Sequence, residues 1–201
     1  MIKHIIFDLG NVLVNIHPKE VMEEFAKKSD LDGKEIASFF LSDFHMQYMC
    51  GKYSTQEFFD QLKTTFHINL NYDEFLKIWN KVIGLPKKEI PELIDILALN
   101  YPLSICSNTD PQHWNYCLNN YSFLSKFKNY FLSFEIGSRK PNREIFQTML
   151  NTLNSQPEEC LLIDDTYENI TASNNLGFFT IHATDTSKVK EGLLDLKVRL
   201  E

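Results

Sequence analysis

An apolar run, Ile5-Ile6-Phe7, delivers a carboxylate, Asp8, straight into the turn Leu9-Gly10-Asn11. A short apolar run bounded by a turn signal reads as a strand buried on both faces, the kind found in parallel sheets. Ligands of open α/β sheets sit beyond the carboxyl ends of the strands. Asp8 therefore falls where such folds do chemistry, although an Asp at that position can also serve only to cap a turn.

The rest of the chain bears on that choice. From residue 15 to 84 the texture is helical. His17-Pro18 starts a helix with Pro in its first turn, and Val21, Met22, Phe25 and Ala26 form its apolar stripe. After the break at Asp32-Gly33, a second stripe runs through Ile36, Phe39, Phe40 and Phe44. Ser54 stands three residues before Glu57, a capping box, ahead of Phe58, Phe59, Leu62 and Phe66. A fourth helix over 71–82 carries Phe75, Leu76, Ile78, Trp79 and Val82. Four helices over 15–84 make an inserted all-α cap subdomain. Residues 1–14 and 85–201 then form the core.

From residue 85, helices alternate with apolar runs. Strands are expected over 102–106, 130–134, 160–164 and 178–182. Helices are expected over 89–99, 111–118, 141–153 and 166–176, the last stopped by Gly177, and a closing helix over 189–200. This alternation means an α/β fold with a doubly wound parallel sheet.

The formal charge of −7 and pI near 5.4 argue against general nucleic-acid binding. The spacing of Cys50, Cys106, Cys117 and Cys160 fits no zinc pattern, so a reducing, cytoplasmic setting is expected. The N-terminal apolar run is too short for a signal peptide. No stretch approaches the length of a transmembrane helix.

Four strand ends carry polar groups: Asp8, Ser107-Asn108, Arg139-Lys140 and Asp164-Asp165. A parallel sheet places them along one edge. Asp8, Asp164 and Asp165 repel each other unless a cation intervenes, and oxygen-only ligands favour Mg²⁺. With the metal in place, Asp8 can stay ionised and attack a phosphoryl group. Ser107 and neighbouring backbone N–H groups can hold phosphate oxygens, and Lys140 can balance the charge of phosphate and carboxylates.

The arrangement resembles the haloacid dehalogenase-like hydrolase superfamily. The resemblance rests on Phe7-Asp8-Leu9-Gly10-Asn11-Val12-Leu13, Ser107-Asn108, Lys140-Pro141 and Ile163-Asp164-Asp165 with Asn169 beyond, in that order. It spans nearly the whole chain, with the helical insert where that superfamily carries a cap. It implies Asp8 as nucleophile and Mg²⁺ held by Asp8, the Gly10 carbonyl and Asp165, with Asp164 direct or through water. It also implies Ser107, Asn108 and Lys140 on the substrate phosphate, and a cap that opens and closes over a small phosphorylated metabolite.

One position departs from the superfamily's pattern. Most of its phosphatases carry a second Asp two residues after the nucleophile, where this chain has Gly10. That Asp protonates the leaving alcohol, and losing such a group costs about 10²–10⁴ in rate. The Asp-Leu-Gly-Asn-Val form looks like a branch that includes sugar-phosphate phosphatases, and a sugar phosphate is the expected substrate. Two other readings stand beside it: a relative that binds a ligand or partner without turnover, and a metal-independent dehalogenase, which the Asp164-Asp165 pair opposes. His17 is either a solvated helix-start residue or a substitute proton carrier. In the cap, His45, Gln47, Tyr48 and Lys52 face either substrate or solvent. Trp79 reads as core.

Overall fold

The computed structural model describes residues 1–29 and 32–200. Its frame is a five-stranded sheet in the order β5-β4-β1-β6-β7, with every neighbouring pair parallel. The strands are β1 (His4–Phe7), β4 (Leu103–Ser107), β5 (Asn129–Leu132), β6 (Cys160–Asp164) and β7 (Phe179–His182). β1 is central because both its faces are apolar. Ile5 and Phe7 point into one core layer and Ile6 into the other, and all three are fully buried. After β1 the sheet grows first to one side, through β4 and β5, and then to the other, through β6 and β7. The reversal falls at β1, and such switch points open the crevice in which ligands of α/β sheets bind.

Helices close both faces. α6 (Ile90–Asn100), α7 (Pro111–Asn120) and α11 (Thr186–Asp195) pack on the Phe7 side, and α9 (Arg143–Leu153) and α10 (Tyr167–Asn175) on the Ile6 side. Gly177, at φ +99°, ends α10 with its N–H on the Asn174 carbonyl at 2.8 Å, a conformation in which a Cβ would be strained.

Among the described residues, the helical cap holds five α-helices: α1 (Pro18–Ala26), α2 (Gly33–Phe40), α3 (Asp43–Met49), α4 (Thr55–Phe66) and α5 (Tyr72–Trp79). They enclose a separate aromatic core that includes Phe25, Phe39, Phe58, Phe75 and Trp79. The Ser54–Glu57 capping box is present at the start of α4.

Several sequence expectations need correction. The single stripe through Ile36 and Phe44 is two helices, because Ser42 caps α3 by accepting the His45 N–H. A two-stranded antiparallel ribbon, β2 (Val14–Ile16) with β3 (Ile83–Pro86), joins cap and core where only helix or loop was expected. Segments so short, one of them carrying Pro86, show no alternation. The third sheet strand ends at Leu132, and a one-turn helix, α8 (Ser133–Ile136), follows. The closing helix begins at Thr186, where Asp185 caps it, and ends at Asp195. Among the described residues, no helix is long and apolar enough to cross a membrane.

Candidate active site

Asp8 leaves β1 with its N–H on the Ile163 carbonyl at 2.8 Å, so the chain stays tied to β6 as it passes into the turn. Its Oδ1 accepts the Leu9 N–H at 2.7 Å and lies 3.0 Å from Lys140 Nζ. Asp164 ends β6 and Asp165 follows it. Ligand oxygens of Asp8, Asp164 and Asp165 all lie within 4.8 Å of one another. Such a cluster is unstable by itself, and Lys140 meets part of the cost. Its ammonium, 1% exposed, donates to Asp164 Oδ2 at 2.6 Å and to the Cys106 carbonyl at 2.6 Å, besides pairing with Asp8. All three of its protons thus have acceptors. Burial alone would lower the Lys140 pKa, but Asp8 and Asp164 outweigh it and raise the group above the ordinary lysine range. Asp8 moves the other way for a carboxylate. Burial, opposed by Lys140 and reinforced by Asp164 and Asp165, pushes it up to about 7.

Three carboxylates against one ammonium leave two negative charges when all are ionised. Oxygen donors in that balance suit a hard divalent cation, so the residues fit a magnesium site. The surroundings hold the cluster in place. Asn169 Nδ2 lies 3.0 and 3.2 Å from the two Asp164 oxygens, and the Thr166 N–H reaches Asp164 Oδ1 at 2.9 Å. Asn11 donates to Asp165 Oδ2 at 3.1 Å.

Lys140 arrives by a longer path than a strand end. It follows α8 and a turn, and Asn108 clamps it there. Asn108 Nδ2 donates to the Lys140 carbonyl and Asn108 Oδ1 accepts the Lys140 N–H, both at 2.8 Å. The Asn108 side chain, expected on substrate, is thus engaged with the Lys140 backbone. Ser107, at the end of β4, and Gly10 line a cavity of about 320 Å³ between the strand ends and the cap. Met22, Phe40, His45, Met49 and Trp79 line its cap side. A larger depression of about 630 Å³ lies at the opposite ends of the strands, beside Met1, Lys3 and Tyr101, away from the carboxylates.

Sequence reasoning missed a second buried cluster in the same cavity wall. Asp110 caps α7 by accepting the Gln112 and His113 N–H groups, each at 2.9 Å. Asp110 Oδ2 lies 2.6 Å from His113 Nδ1, while His113 Nε2 donates to the Trp79 carbonyl at 2.8 Å. The cap reaches the same Asp110 through Tyr48 OH at 3.2 Å and Trp79 Nε1 at 3.3 Å. Burial pulls His113 down, but Asp110 outweighs it and raises its pKa; burial pushes Asp110 up, and His113 overcomes that and lowers it. Both shifts favour the charged pair, in which His113 donates from both ring nitrogens. Ser133 Oγ adds a bond to the Met49 carbonyl at 2.6 Å. Gly51, at φ +72°, packs on the Phe134 carbonyl so closely that a Cβ would collide with it. His17, on the cap–core connection, is half exposed, with Nδ1 3.5 Å from Glu20. The sequence signal for the missed cluster was Asp110-Pro111 with His113 at the third position of a helix.

A parallel sheet with a lysine-bridged acidic centre under a helical cap defines a capped α/β protein of the hydrolase type. The chain belongs to the haloacid dehalogenase-like (HAD-like) hydrolase family, which matches residues 2–177. A D-ribitol-5-phosphate phosphatase of Bacteroides thetaiotaomicron is 30% identical over 190 residues, 90% of this chain and 91% of that protein. A HAD-like family hydrolase from Porphyromonas gingivalis superposes with a TM-score of 0.85 at 26% identity, over 99% of both chains. A HAD family enzyme of Bacteroides thetaiotaomicron, solved with magnesium and inorganic phosphate, gives 0.83 at 26% identity over 94% of this chain and 99% of that one.

Proposed function

We propose that this protein is a Mg²⁺-dependent phosphatase that hydrolyses a small phosphorylated metabolite through an aspartyl-phosphate on Asp8. The observation that carries the reading is the convergence of the three carboxylates around the Lys140 ammonium, beside a cavity lined by Ser107. The resemblance to phosphatases and to a magnesium- and phosphate-bound relative supports it. Magnesium held by Asp8, Asp164, Asp165 and the Gly10 carbonyl would neutralise charge on the phosphoryl group and keep Asp8 ionised. Leu9 N–H and Lys140 hold Asp8 Oδ1, which leaves Oδ2 to attack phosphorus. The new O–P bond forms as the ester O–P bond breaks. The alcohol takes its proton from solvent, because Gly10 has none to give. Water then cleaves the aspartyl-phosphate and releases inorganic phosphate. Ser107 and the Lys140 charge orient the phosphoryl oxygens throughout, and Asn108 positions Lys140. Residues 15–84 act as the cap that shields this chemistry from bulk water. Free thiols at Cys50, Cys106, Cys117 and Cys160 support a cytoplasmic setting.

The test is steady-state phosphate release from a panel of aryl, anomeric and primary-alkyl phosphates, with Mg²⁺ and with EDTA, by wild type and Asp8→Asn. Mg²⁺-dependent turnover that disappears in the variant is expected. No turnover of any ester, with Mg²⁺ still bound, would move the assignment to a binding protein. The sugar phosphate expected from the sequence is supported by the ribitol phosphate relative, whereas the lining of the cavity points elsewhere.

A further inference from the structure

The cavity above Ser107 has few polar groups to offer a substrate. Asp110 is fully engaged: Oδ1 accepts from Tyr48, Gln112 and His113, and Oδ2 from Trp79 and His113. His113 has both ring nitrogens in use, on Asp110 and on the Trp79 carbonyl. Both ends of the Asn108 amide are on the Lys140 backbone. His45 Nδ1 lies 2.8 Å from the Phe40 carbonyl, and since a carbonyl cannot donate, that nitrogen carries the proton. The uncharged ring then offers one acceptor, Nε2, and burial favours the uncharged form. Apart from the Thr109 hydroxyl, the remaining wall is mostly apolar, including Ile16, Met22, Phe40, Met49, Val82 and Ile83. Leu41, 76% exposed, sits at the rim.

The shape is built in rather than left to closure. Tyr48, Trp79 and Met49, all from the cap, are tied by hydrogen bonds to Asp110, His113 and Ser133 of the core. The volume of about 320 Å³ is at the small end of small-molecule pockets, which run from roughly 300 to 1,000 Å³.

We infer that the organic half of the ester is apolar, so that the enzyme selects the phosphate monoester of a short alkyl or aryl alcohol over a polyol or sugar phosphate. The inference rests on the phosphatase reading and concerns the same site. A hydroxyl that enters an apolar wall gives up its water and finds no partner, which costs about fivefold in binding or more for each. A polyol carries several, and the wall offers few partners for them, His45 Nε2 and the Thr109 hydroxyl.

A matched pair tests this: n-pentyl phosphate and ribitol 5-phosphate. Both are five-carbon primary alkyl esters, so the leaving groups are alike and only the hydroxyls differ. The expected result is kcat/KM at least tenfold higher for pentyl phosphate. In Met22→Gln, which puts an amide on the wall, the ratio is expected to narrow. A ribitol preference in wild type overturns the inference while leaving the phosphatase reading intact. If neither ester is turned over, calorimetric binding of both to Asp8→Asn in Mg²⁺ decides it without chemistry. Tighter binding of the pentyl ester supports the inference, and equal or weaker binding overturns it. Loss of Mg²⁺-dependent phosphate release from 4-nitrophenyl phosphate as well would count separately, against the phosphatase reading.

Discussion

Lys140 Nζ lies 3.0 Å from Asp8 Oδ1, and the same ammonium is 2.6 Å from Asp164 Oδ2. One buried cation therefore holds together two carboxylates that would otherwise repel. Replacing it with an apolar residue leaves them uncompensated, and breaking a buried pair in this way costs about 3–5 kcal/mol. Lys140→Met should lose that much in urea unfolding with EDTA present. Mg²⁺ binds the folded state and should restore part of the loss. A loss below about 1 kcal/mol, the scale of an exposed pair, would mean that the bridge contributes little.

Asp8 gives the metal-free protein a particular pH dependence. Its folded pKa, about 7, lies above the value for an unfolded chain, about 3.9. A raised carboxyl stabilises the fold below the unfolded pKa, and that stability is lost as pH climbs toward 7. While only the unfolded chain has released the proton, the slope is about 1.4 kcal/mol per pH unit. In EDTA wild type should therefore lose more stability between pH 5 and pH 8 than Asp8→Asn does, and Mg²⁺, by favouring the ionised form, should reduce or reverse that difference. His113, with its raised pKa, adds a loss of the same sign above its unfolded value. Asp8→Asn separates the two. Melting temperatures at both pH values, with and without metal, for wild type and Asp8→Asn, make the check.

The sheet was legible because its strands are short apolar runs with no competing pattern. Cys160–Asp164 falls where the alternation put it, and Asp8, Ser107 and Asp164 follow from strand ends. Lys140 reads as a strand-end residue, yet seven residues, a helical turn among them, separate it from Leu132. Local pattern does not state how such a segment folds back. The same limit hid the Asn108 clamp, a side chain that reads as a ligand contact until its partners are known. It also hid the cap–core cluster, in which Tyr48, Trp79 and Asp110 are far apart in the chain and meet only through the packing of two separate cores.

That cluster should be a principal anchor of the cap. His113→Ala leaves Asp110 buried without its charge partner and should cost about 3–5 kcal/mol. Tyr48→Phe removes one of several bonds to the same carboxylate and should cost about 1 kcal/mol. In wild type the His113 ring should titrate above the ordinary histidine value, and in Asp110→Asn below its wild-type value, because the partner that raises it is gone. Denaturant unfolding gives the energies and imidazole NMR gives the titrations. A His113 that titrates no higher than a solvated histidine would refute the ion pair.

Gly10 sets the last expectation. A Cβ there would meet Ile16 Cγ2 at 3.4 Å and Cδ1 at 3.7 Å, ordinary contacts that the hinge can absorb. Gly10→Asp should therefore fold and place a carboxyl at the position from which a leaving alcohol could be protonated. The gain depends on how badly the leaving group needs the proton. For a primary alkyl phosphate it could approach the roughly 10²–10⁴ typical of general acid catalysis; for 4-nitrophenyl phosphate, whose leaving group departs as a stable anion, little gain is expected. The measurement is the dependence of log kcat/KM on leaving-group pKa in both proteins. A flatter slope in Gly10→Asp would show that the native enzyme works without a general acid at this position. An unchanged slope, with the fold intact, would mean that another group already supplies the proton.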